Sequence, residues 1–548
     1  MPLRFELTPP VGPASPNRAD VACFIGFVAR RKSAPLPFGV RDELLLGPSW
    51  AQGPWRLLHT DTRDERRRKL ERLEKLENVP VPVDSWDAFD SLFAWNERPL
   101  EEIPNGESGA TCATYLGAAV RSFFASGGKR AVIVRVGDPW PFLEPSERRT
   151  VRRGDRLADL VPDLDDRGTP FHPADPGSWR GVYHLYGLPE VSLLCLPDLP
   201  DACALEPLAL ATAVRPPPLP EGFVECSAAE PVAQEDQGLR RIPAPRLDSL
   251  GFAPWRKAIA HVRDFLDRHQ REVVLLAAVP LPHPEASRDA GDDRVHAEAD
   301  MLEFLLRADV LDANDQGDRF GETPPSAFVQ MAYPWLRTRA AADLPEGAEP
   351  PDGLLAGLMA ANALTRGTFR SVAGAFSLPR LSDVRGTVPP MSWGAGPDSP
   401  PAKLAERVCV FAPTPDGIGL QSDVTTSRNP AWRFGGTRRL MGVLLRAARR
   451  TGEWVLFDGN GPATWNRISR AIEELLEAFW QRGAFGGRTP AEAYSVRCDR
   501  STMTQHALDH GRVVAEIRVR PAASIEDLTV VLKLAGTGAD AVGLREVA

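Results

Sequence analysis

The residues of this chain whose types could do chemistry lack the partners that chemistry would need. Asp198 and Asp201 follow an apolar run at 191–196, and α/β enzymes often place catalytic carboxylates directly after a buried strand. No nucleophile or base accompanies them, so helix capping or turn formation is the expected role of both side chains. His184, in GVYHLYGLPE, is likewise expected to be a hydrogen-bonded core histidine and not a catalytic base.

The histidines and cysteines do not indicate a metal site. His506 and His510 have the i,i+4 spacing that can place two imidazoles on one helical face, but no cysteine or carboxylate pattern completes a ligand set. The cysteines show no C-x-x-C spacing, which predicts reduced core thiols and neither a zinc site nor a disulfide framework. They are Cys23, Cys112, Cys195, Cys203, Cys226, Cys409 and Cys498. We therefore expect no bound metal.

Motifs for nucleotide binding and hydrolysis are missing from the sequence. The one Gly-Lys pair, at 128–129, is followed by Arg130 and so is not a phosphate-binding loop. The Gly-rich GTGADAVG at 536–543 follows the last predicted strand and does not open a helix, as a dinucleotide-binding turn would. The sequence contains neither H-E-x-x-H nor G-x-S-x-G. We predict no cofactor, no catalytic residue and no enzymatic activity.

Composition also excludes several classes of protein. The formal net charge of −8 disfavours nucleic acid binding, because a protein that neutralises phosphates normally carries a basic surplus. The longest apolar run, 354–364, is too short to span a bilayer, and the N-terminus lacks the apolar region of a secretory signal. The 53 prolines predict many rigid, extended connections. A cytosolic protein without membrane insertion is expected.

Apolar runs that alternate with amphipathic segments predict a mixed α/β fold, with an antiparallel strand pair at the end. The clearest predicted strands are 19–31, 131–136, 191–199, 271–280 and 327–338, and 512–520 with 527–534 form the closing pair. The composition suggests six regions along the chain. They are an extended arm (1–18), the N-terminal part of the core (19–136), a surface insertion (137–180), a middle α/β region (181–400), a C-terminal domain (401–534) and a C-terminal arm (535–548).

One predicted helix, at 437–450, separates its apolar side chains from its charges. Leu440, Val443, Leu444, Ala447 and Ala448 fall on one side at 100° per residue. The opposite side collects the arginines Arg438, Arg439, Arg446, Arg449 and Arg450, with no acidic residue in the helix. A solvated charged face and a docking surface are both compatible with this pattern.

Several segments resemble the contractile tail sheath family of contractile phage tails, R-type bacteriocins and extracellular contractile injection systems. They occur in the family's order and run from about residue 19 to 534. They are ADVACFIGFVARR (19–31), SWDAFDSLFAW (85–95), TYLGAAVRSFFASGGKRAVIVRV (114–136), AYPWLRT (332–338), the Pro-Pro-x-Gly segment (350–374), the C-terminal domain (437–504) and a closing strand pair (511–532). The short N-terminal arm and LQSDVTTS at 420–427 depart from the family's pattern.

The resemblance implies a multi-domain sheath fold with a core built from N- and C-terminal segments, an inserted outer region and extended terminal arms. It also implies a structural subunit that polymerises as stacked rings around an inner tube and contracts to drive that tube into a target. The implied partners are further copies of the chain, the tube protein, and baseplate and terminator or cap proteins. Assembly in the bacterial cytoplasm, within a particle that can be released, is expected.

Two groups of site residues follow from the resemblance. The five arginines of 437–450 are expected to face the inner tube, because a helix of the family's C-terminal domain does so. Strands of the terminal arms are expected to join neighbours' sheets by β-augmentation. Their candidate residues are Phe5, Leu7, Leu528, Val530, Leu532 and Leu534. An uncharacterised α/β enzyme and another structural component of the apparatus, such as a terminator or baseplate protein, remain the alternatives.

Overall fold

A computed structural model describes most of the chain between residues 18 and 522. The described ranges are 18–32, 34, 62–102, 109–164, 172–173, 178–205, 237–282, 301–307, 310–311, 323–374, 385–386, 400–414, 417–454, 459, 461–503, 505–509 and 513–522. These residues fall into two compact units, one that ends at Arg449 and one that begins at Arg450.

Strands and helices alternate along the chain. The strands are β1 (Ala22–Phe27), β2 (Ala29–Arg30), β3 (Pro80–Val83), β4 (Phe93–Ala94), β5 (Arg98–Pro99), β6 (Thr111–Cys112), β7 (Ala131–Gly137), β8 (Leu193–Cys195), β9 (Arg246–Leu247), β10 (Val274–Ala278), β11 (Leu281–Pro282), β12 (Val329–Tyr333), β13 (Leu336–Arg337), β14 (Arg385–Gly386), β15 (Cys409–Thr414), β16 (Gly417–Leu420), β17 (Tyr494–Arg497) and β18 (Glu516–Val519). The helices are α1 (Arg63–Lys75), α2 (Trp86–Leu92), α3 (Tyr115–Ala125), α4 (Ser146–Leu160), α5 (Leu199–Cys203), α6 (Gln237–Arg240), α7 (Ser249–His269), α8 (Met301–Arg307), α9 (Asp352–Thr365), α10 (Pro400–Ala405), α11 (Gly435–Trp454), α12 (Pro462–Gln481), α13 (Pro490–Ala493) and α14 (Gln505–Asp509).

The first unit is built on an eight-stranded sheet with the order β16-β15-β12-β10-β8-β1-β7-β3. The six inner strands are parallel, and an antiparallel strand closes each edge. Parallel strands require crossovers, which here carry helices on both faces of the sheet. The fold is therefore α/β, as the sequence predicts.

Alternate residues of each strand supply two separate cores, because successive strand side chains point to opposite faces. In β1, Phe24 packs into the core that contains α3 and α9, while Cys23 and Ile25 pack into the core that contains α4 and α7. Burial on both faces explains why these strands read as nearly continuous apolar runs.

Local capping and close packing fix the helices on the first face. Thr114 caps α3 by accepting a hydrogen bond from the amide of Gly117 at 3.1 Å. Helices α3 and α9 touch through backbone, since a Cβ built on Gly353 would lie 2.4 Å from the carbonyl oxygen of Ala119. Only glycine permits that approach.

The second unit combines α12 with a two-stranded antiparallel sheet of β17 and β18. Leu476 is fully buried on α12, and the hydroxyl of Tyr494 donates to Glu477 at 2.8 Å. Phe485 contacts the ring of Tyr494, with ring centroids 6.3 Å apart. Among the residues that the structure describes, every helix falls short of the length and apolar content of a membrane-spanning segment.

The structure differs from the sequence-based prediction in its boundaries. Residues 400–449 belong to the first unit, because β15 and β16 extend its sheet, so the domain predicted over 401–534 is divided. The predicted insertion at 137–180 is not confined to the surface, since Leu157 and Leu160 of α4 are core residues.

The structure also differs from the prediction at two strands. The apolar run EWVLFD (453–458) predicts a strand that begins after Gly452. Instead, helix α11 continues to Trp454, because Gly452 costs only about 1 kcal/mol in a helix and does not end it. Strand β18 pairs with β17, for which the sequence predicted no strand. The predicted partner of β18, at 527–534, lies outside the described residues.

Candidate functional site

Helix α11 is the element on which the sequence placed the tube-facing arginines. Its predicted apolar side is correct: Leu440, Val443, Leu444 and Ala447 are buried. The prediction that all five arginines form one outer face is wrong. Arg438, Arg439 and Arg446 are only 1%, 5% and 4% exposed.

The three buried arginines are held by carbonyl and carboxylate oxygens of the same unit. Arg438 donates to the carbonyl oxygens of Arg271 at 2.5 Å and Val273 at 3.3 Å. Its guanidinium also lies over the ring of Phe328, 4.1 Å from the centroid. Burial lowers the pKa of Arg438 to about 9, which leaves the group charged at neutral pH.

Arg439 forms a buried ion pair with Asp423. The two guanidinium nitrogens lie 2.9 and 2.6 Å from the carboxylate oxygens, a bidentate geometry. Asp423 also accepts hydrogen bonds from Gln330 Nε2 at 3.0 Å and the amide of Val372 at 2.9 Å. Burial opposes ionisation, but Arg439 outweighs it and the pKa of Asp423 is lowered.

Together these contacts hold α11 against the amino ends of the parallel strands. Arg439 contacts Gln330 near the start of β12, and Gly442 packs on the carbonyl of Glu272 before β10. One turn later, Arg446 bonds residues 191–192 before β8 and Arg18 before β1. This sequence of contacts follows the strand order of the sheet. The arginines therefore satisfy buried oxygens of the loops that enter the strands.

The two remaining arginines of the helix are more accessible. The side chain of Arg449 is 49% exposed and lies 2.7 Å from the carboxylate of Glu272. Arg450 is partly exposed and belongs to the second unit.

Asp198 lies at the opposite, carboxyl edge of the sheet, where its hydrogen bonds show its role. The side chain is buried and accepts hydrogen bonds from the amides of Phe27, at 2.7 Å, and Leu116, at 3.2 Å. It therefore joins the end of β1 to the first turn of α3, a capping role as the sequence predicts. Burial raises the pKa of Asp198 to about 7, against the two amide hydrogen bonds.

Asp201 belongs to a buried ionic network. Its carboxylate lies 2.7 Å from Arg98 and 3.3 Å from Arg149, and all three side chains are almost fully buried. Burial disfavours the charged carboxylate, but the two arginines outweigh burial and lower its pKa. Nearby, Arg156 pairs with Glu144 at 2.6 Å. These ion pairs link α4 to the segments that follow β8 and β4, so the network holds α4 against the sheet.

Two further carboxylates at this edge were missed by the sequence analysis. Glu349 is buried and accepts hydrogen bonds from the hydroxyls of Ser122, at 2.6 Å, and Thr338. Burial raises its pKa to about 7, and burial raises the pKa of Asp352 well above its usual value. Acidic residues of a Pro- and Gly-rich segment resemble surface loop residues, and no sequence signal distinguishes them.

Asp423 was also missed, although here the sequence carries a signal. It is the one charged residue of 417–427, a stretch that otherwise contains apolar and small polar side chains. A lone charge in such a stretch is costly to bury without a partner, which indicates an ion pair elsewhere in the fold.

The histidines do not form a site among the residues that the structure describes. His184 is buried, and burial lowers its pKa to about 3, so its ring is neutral at physiological pH. His506 lies on α14, whereas His510 is outside the described ranges. Within those ranges, no group of three or more histidine, cysteine or acidic side chains is placed to hold a metal ion.

The residues proposed for strand exchange between subunits lie outside the described part of the chain. They are Phe5, Leu7, Leu528, Val530, Leu532 and Leu534. Their role stays a prediction.

Comparison with known proteins adds family information to this geometry. Residues 427–535 match the sequence family described as the phage tail sheath C-terminal domain. Among curated proteins, none matches the chain.

Solved structures match over nearly the whole chain. A chain of the anti-feeding prophage (AFP) baseplate in the contracted state is 16% identical, with a TM-score of 0.53 and coverage of 97% of each chain. A chain of the six-fold symmetrised AFP baseplate is 18% identical, with a TM-score of 0.49 and coverage of 94% of this chain and 93% of that one. A chain of the contracted PVC sheath complex, from an extracellular contractile injection system, is 16% identical, with a TM-score of 0.44 and coverage of 83% and 87%.

The likeness to the contracted AFP baseplate chain, with a TM-score of 0.53, shows a shared fold. The sequence match concerns the C-terminal residues 427–535. Residues 427–535 are therefore similar in sequence to the phage tail sheath C-terminal domain, and the chain shares its fold with a chain of the contracted AFP baseplate.

Proposed function

We propose that this protein is a structural sheath subunit of a phage-tail-like contractile injection system. The match of residues 427–535 to the phage tail sheath C-terminal domain carries the proposal. The buried charges support it, because Asp201 and Asp423 are consumed by internal ion pairs and are not presented to a ligand. The subunit has no enzymatic activity in this proposal, and its work comes from rearrangement of contacts between subunits.

The proposed partners are further copies of the chain, an inner tube protein, and baseplate and terminator or cap proteins. Strands of the two terminal arms join neighbouring sheets, which keeps subunits connected while the lattice expands. The inner tube contacts the accessible end of α11, at Arg449 and Arg450. The particle assembles in the bacterial cytoplasm and is released from it.

A second candidate is a sheath paralogue that sits next to the baseplate. The similar structure with a TM-score of 0.53 is a chain of the AFP baseplate in the contracted state, which favours this alternative. Such a subunit would form a short ring on a baseplate and would not extend into a long tube.

Electron microscopy of the purified protein in negative stain tests both candidates. A sheath subunit is expected to polymerise into wide, hollow tubes of stacked rings. Single rings would favour the baseplate-proximal paralogue. Monodisperse particles at all concentrations and salt conditions would contradict the proposal and favour a terminator or an enzyme.

A further inference from the structure

Arg446 lies where three separate segments of the chain meet. Its Nη1 donates to the carbonyl oxygen of Arg18 at 2.5 Å and to Ser192 Oγ at 2.9 Å. Its Nη2 donates to the carbonyl oxygen of Val191 at 2.7 Å. Arg18 lies four residues before Ala22, where β1 begins, so this contact holds the chain just ahead of that strand.

The segment 18–21 is bound on one side by the chain that precedes β8. The carbonyl oxygen of Val21 accepts hydrogen bonds from the amides of Ser192, at 3.0 Å, and Leu193, at 3.2 Å. The buried carboxylate of Asp20 pairs with Arg18 at 2.8 Å. Arg446 adds the link from this segment to α11, an element 428 positions away in sequence.

The planar guanidinium suits this position. Its fixed fork of donors can bond several oxygens at once, whereas a lysine ammonium acts as a compact point charge. An extended segment pulled from its N-terminal end would detach one hydrogen bond after another, beginning at residue 18. A buried, charge-assisted hydrogen bond at that residue is the first obstacle to such peeling.

We propose that Arg446 is a positioning residue that clamps the base of the N-terminal arm to α11. The inference rests on the proposed function, in which the N-terminal arm (1–18) links one subunit to the next. Tension on the arm then passes through Arg446 into the helix that crosses the amino edge of the sheet. Because of this clamp, tension on the arm does not pull β1 out of the sheet.

Arg438 provides a matched control on the same helix. It is equally buried and also donates to two backbone carbonyls, but these belong to residues 271 and 273 and not to the arm. The variants Arg446→Met and Arg438→Met therefore remove comparable contacts, and only the first releases residue 18.

The clamp is tested on the full-length, unassembled protein by trypsin cleavage after Arg18, followed by mass spectrometry. Loss of a charge-assisted hydrogen bond should raise the cleavage rate in R446M by about tenfold. R438M should cleave there at the rate of the wild-type protein. Equal rates in the two variants would overturn the clamp. If R446M does not fold, Arg446→Lys keeps the charge without the fork, and its cleavage after Arg18 must still exceed that of R438M.

Assembled tubes test the second part of the proposal, which is that the clamp carries tension between subunits. R446M tubes are expected to break under shear that wild-type and R438M tubes survive. Fast cleavage with normal tube strength would support the clamp and overturn its role in carrying tension. If the wild-type protein forms no tubes, the proposed function fails, while the cleavage comparison still decides the clamp.

Discussion

The buried ions at the carboxyl edge of the main sheet centre on a carboxylate, whereas those at the amino edge include three arginines of a single helix, one of them paired with Asp423. Asp201 lies between Arg98 and Arg149 at the first edge. At the second, Arg438 and Arg446 bind mainly carbonyl oxygens of the loops that enter the strands. The buried ions of the two edges therefore have different partners.

The difference matters because the carboxyl edge is where α/β enzymes place their active sites. In this protein α4 contributes Arg149 to that edge, where it pairs with the buried Asp201. The amino edge instead connects the segment before β1 with α11. One edge of an enzyme-like sheet has become core, and the other has become a junction between the N- and C-terminal parts of the sequence.

The largest expected effect comes from breaking the carboxyl-edge network at its centre. Asp201→Asn leaves two buried guanidinium groups without their counterion, which should lower the free energy of unfolding by about 3–5 kcal/mol. Urea unfolding followed by circular dichroism measures the loss. Glu97→Gln is the control, because Glu97 is an exposed partner of Arg31 at 3.5 Å and should change stability by less than about 1 kcal/mol. Equal losses in the two variants would show that Asp201 is not a structural centre.

A smaller expected effect is a dependence of stability on pH that comes from the carboxyl edge of the sheet. Carboxylates titrate in the accessible range, whereas arginines keep their charge. The folded-state pKa of Glu349 is about 7, above the value of about 4.3 expected in the unfolded chain. The stability that its proton provides is complete below the unfolded pKa and is lost as the pH rises through 7. Asp198, whose pKa is also raised to about 7, acts in the same direction.

Glu349→Gln should remove this contribution without removing the hydrogen bonds from Ser122 and Thr338. Relative to the wild-type protein, the variant should gain about 1–3 kcal/mol at pH 8 and little at pH 5. Glu346→Gln is the control of opposite sign, because its ion pair with Arg246 at 3.0 Å contributes to a lowered pKa of Glu346. It should lose stability at pH 8. Parallel pH profiles for wild type and E349Q would contradict the expected titration.

The sequence predicted the sheet well because its signal is local. The apolar run of β10, for example, identifies a strand buried on both faces without reference to any other residue. The apolar side of α11 followed from periodicity in the same way. The α/β class and the approximate positions of the main helices needed nothing further.

The buried charges could not be predicted because their partners are distant in sequence. Periodicity places Arg446 opposite the apolar side of α11, and a polar face normally meets water. Here it meets Val191 and Arg18, and only the topology of the sheet brings these segments together. For the same reason, no partner of Asp201 could be identified from the sequence, although Arg98 and Arg149 lie on either side of its carboxylate in the fold.

The smallest expected effect on stability concerns Arg449, the accessible arginine of the first unit on α11. Arg449 is half-exposed, whereas its partner Glu272 is buried. Glutamine can still donate a hydrogen bond to that carboxylate, so Arg449→Gln should lower the free energy of unfolding by about 1 kcal/mol. A loss near that of D201N, measured in the same urea titration, would mean that the amino edge depends on Arg449 as much as the carboxyl edge depends on Asp201. The variant should thus leave the fold intact while it removes a charge from the face proposed to contact an inner tube. Any defect of R449Q in enclosing a tube, seen by electron microscopy of assembled particles, would then reflect docking, because Arg438, Arg439 and Arg446 are already occupied within the subunit.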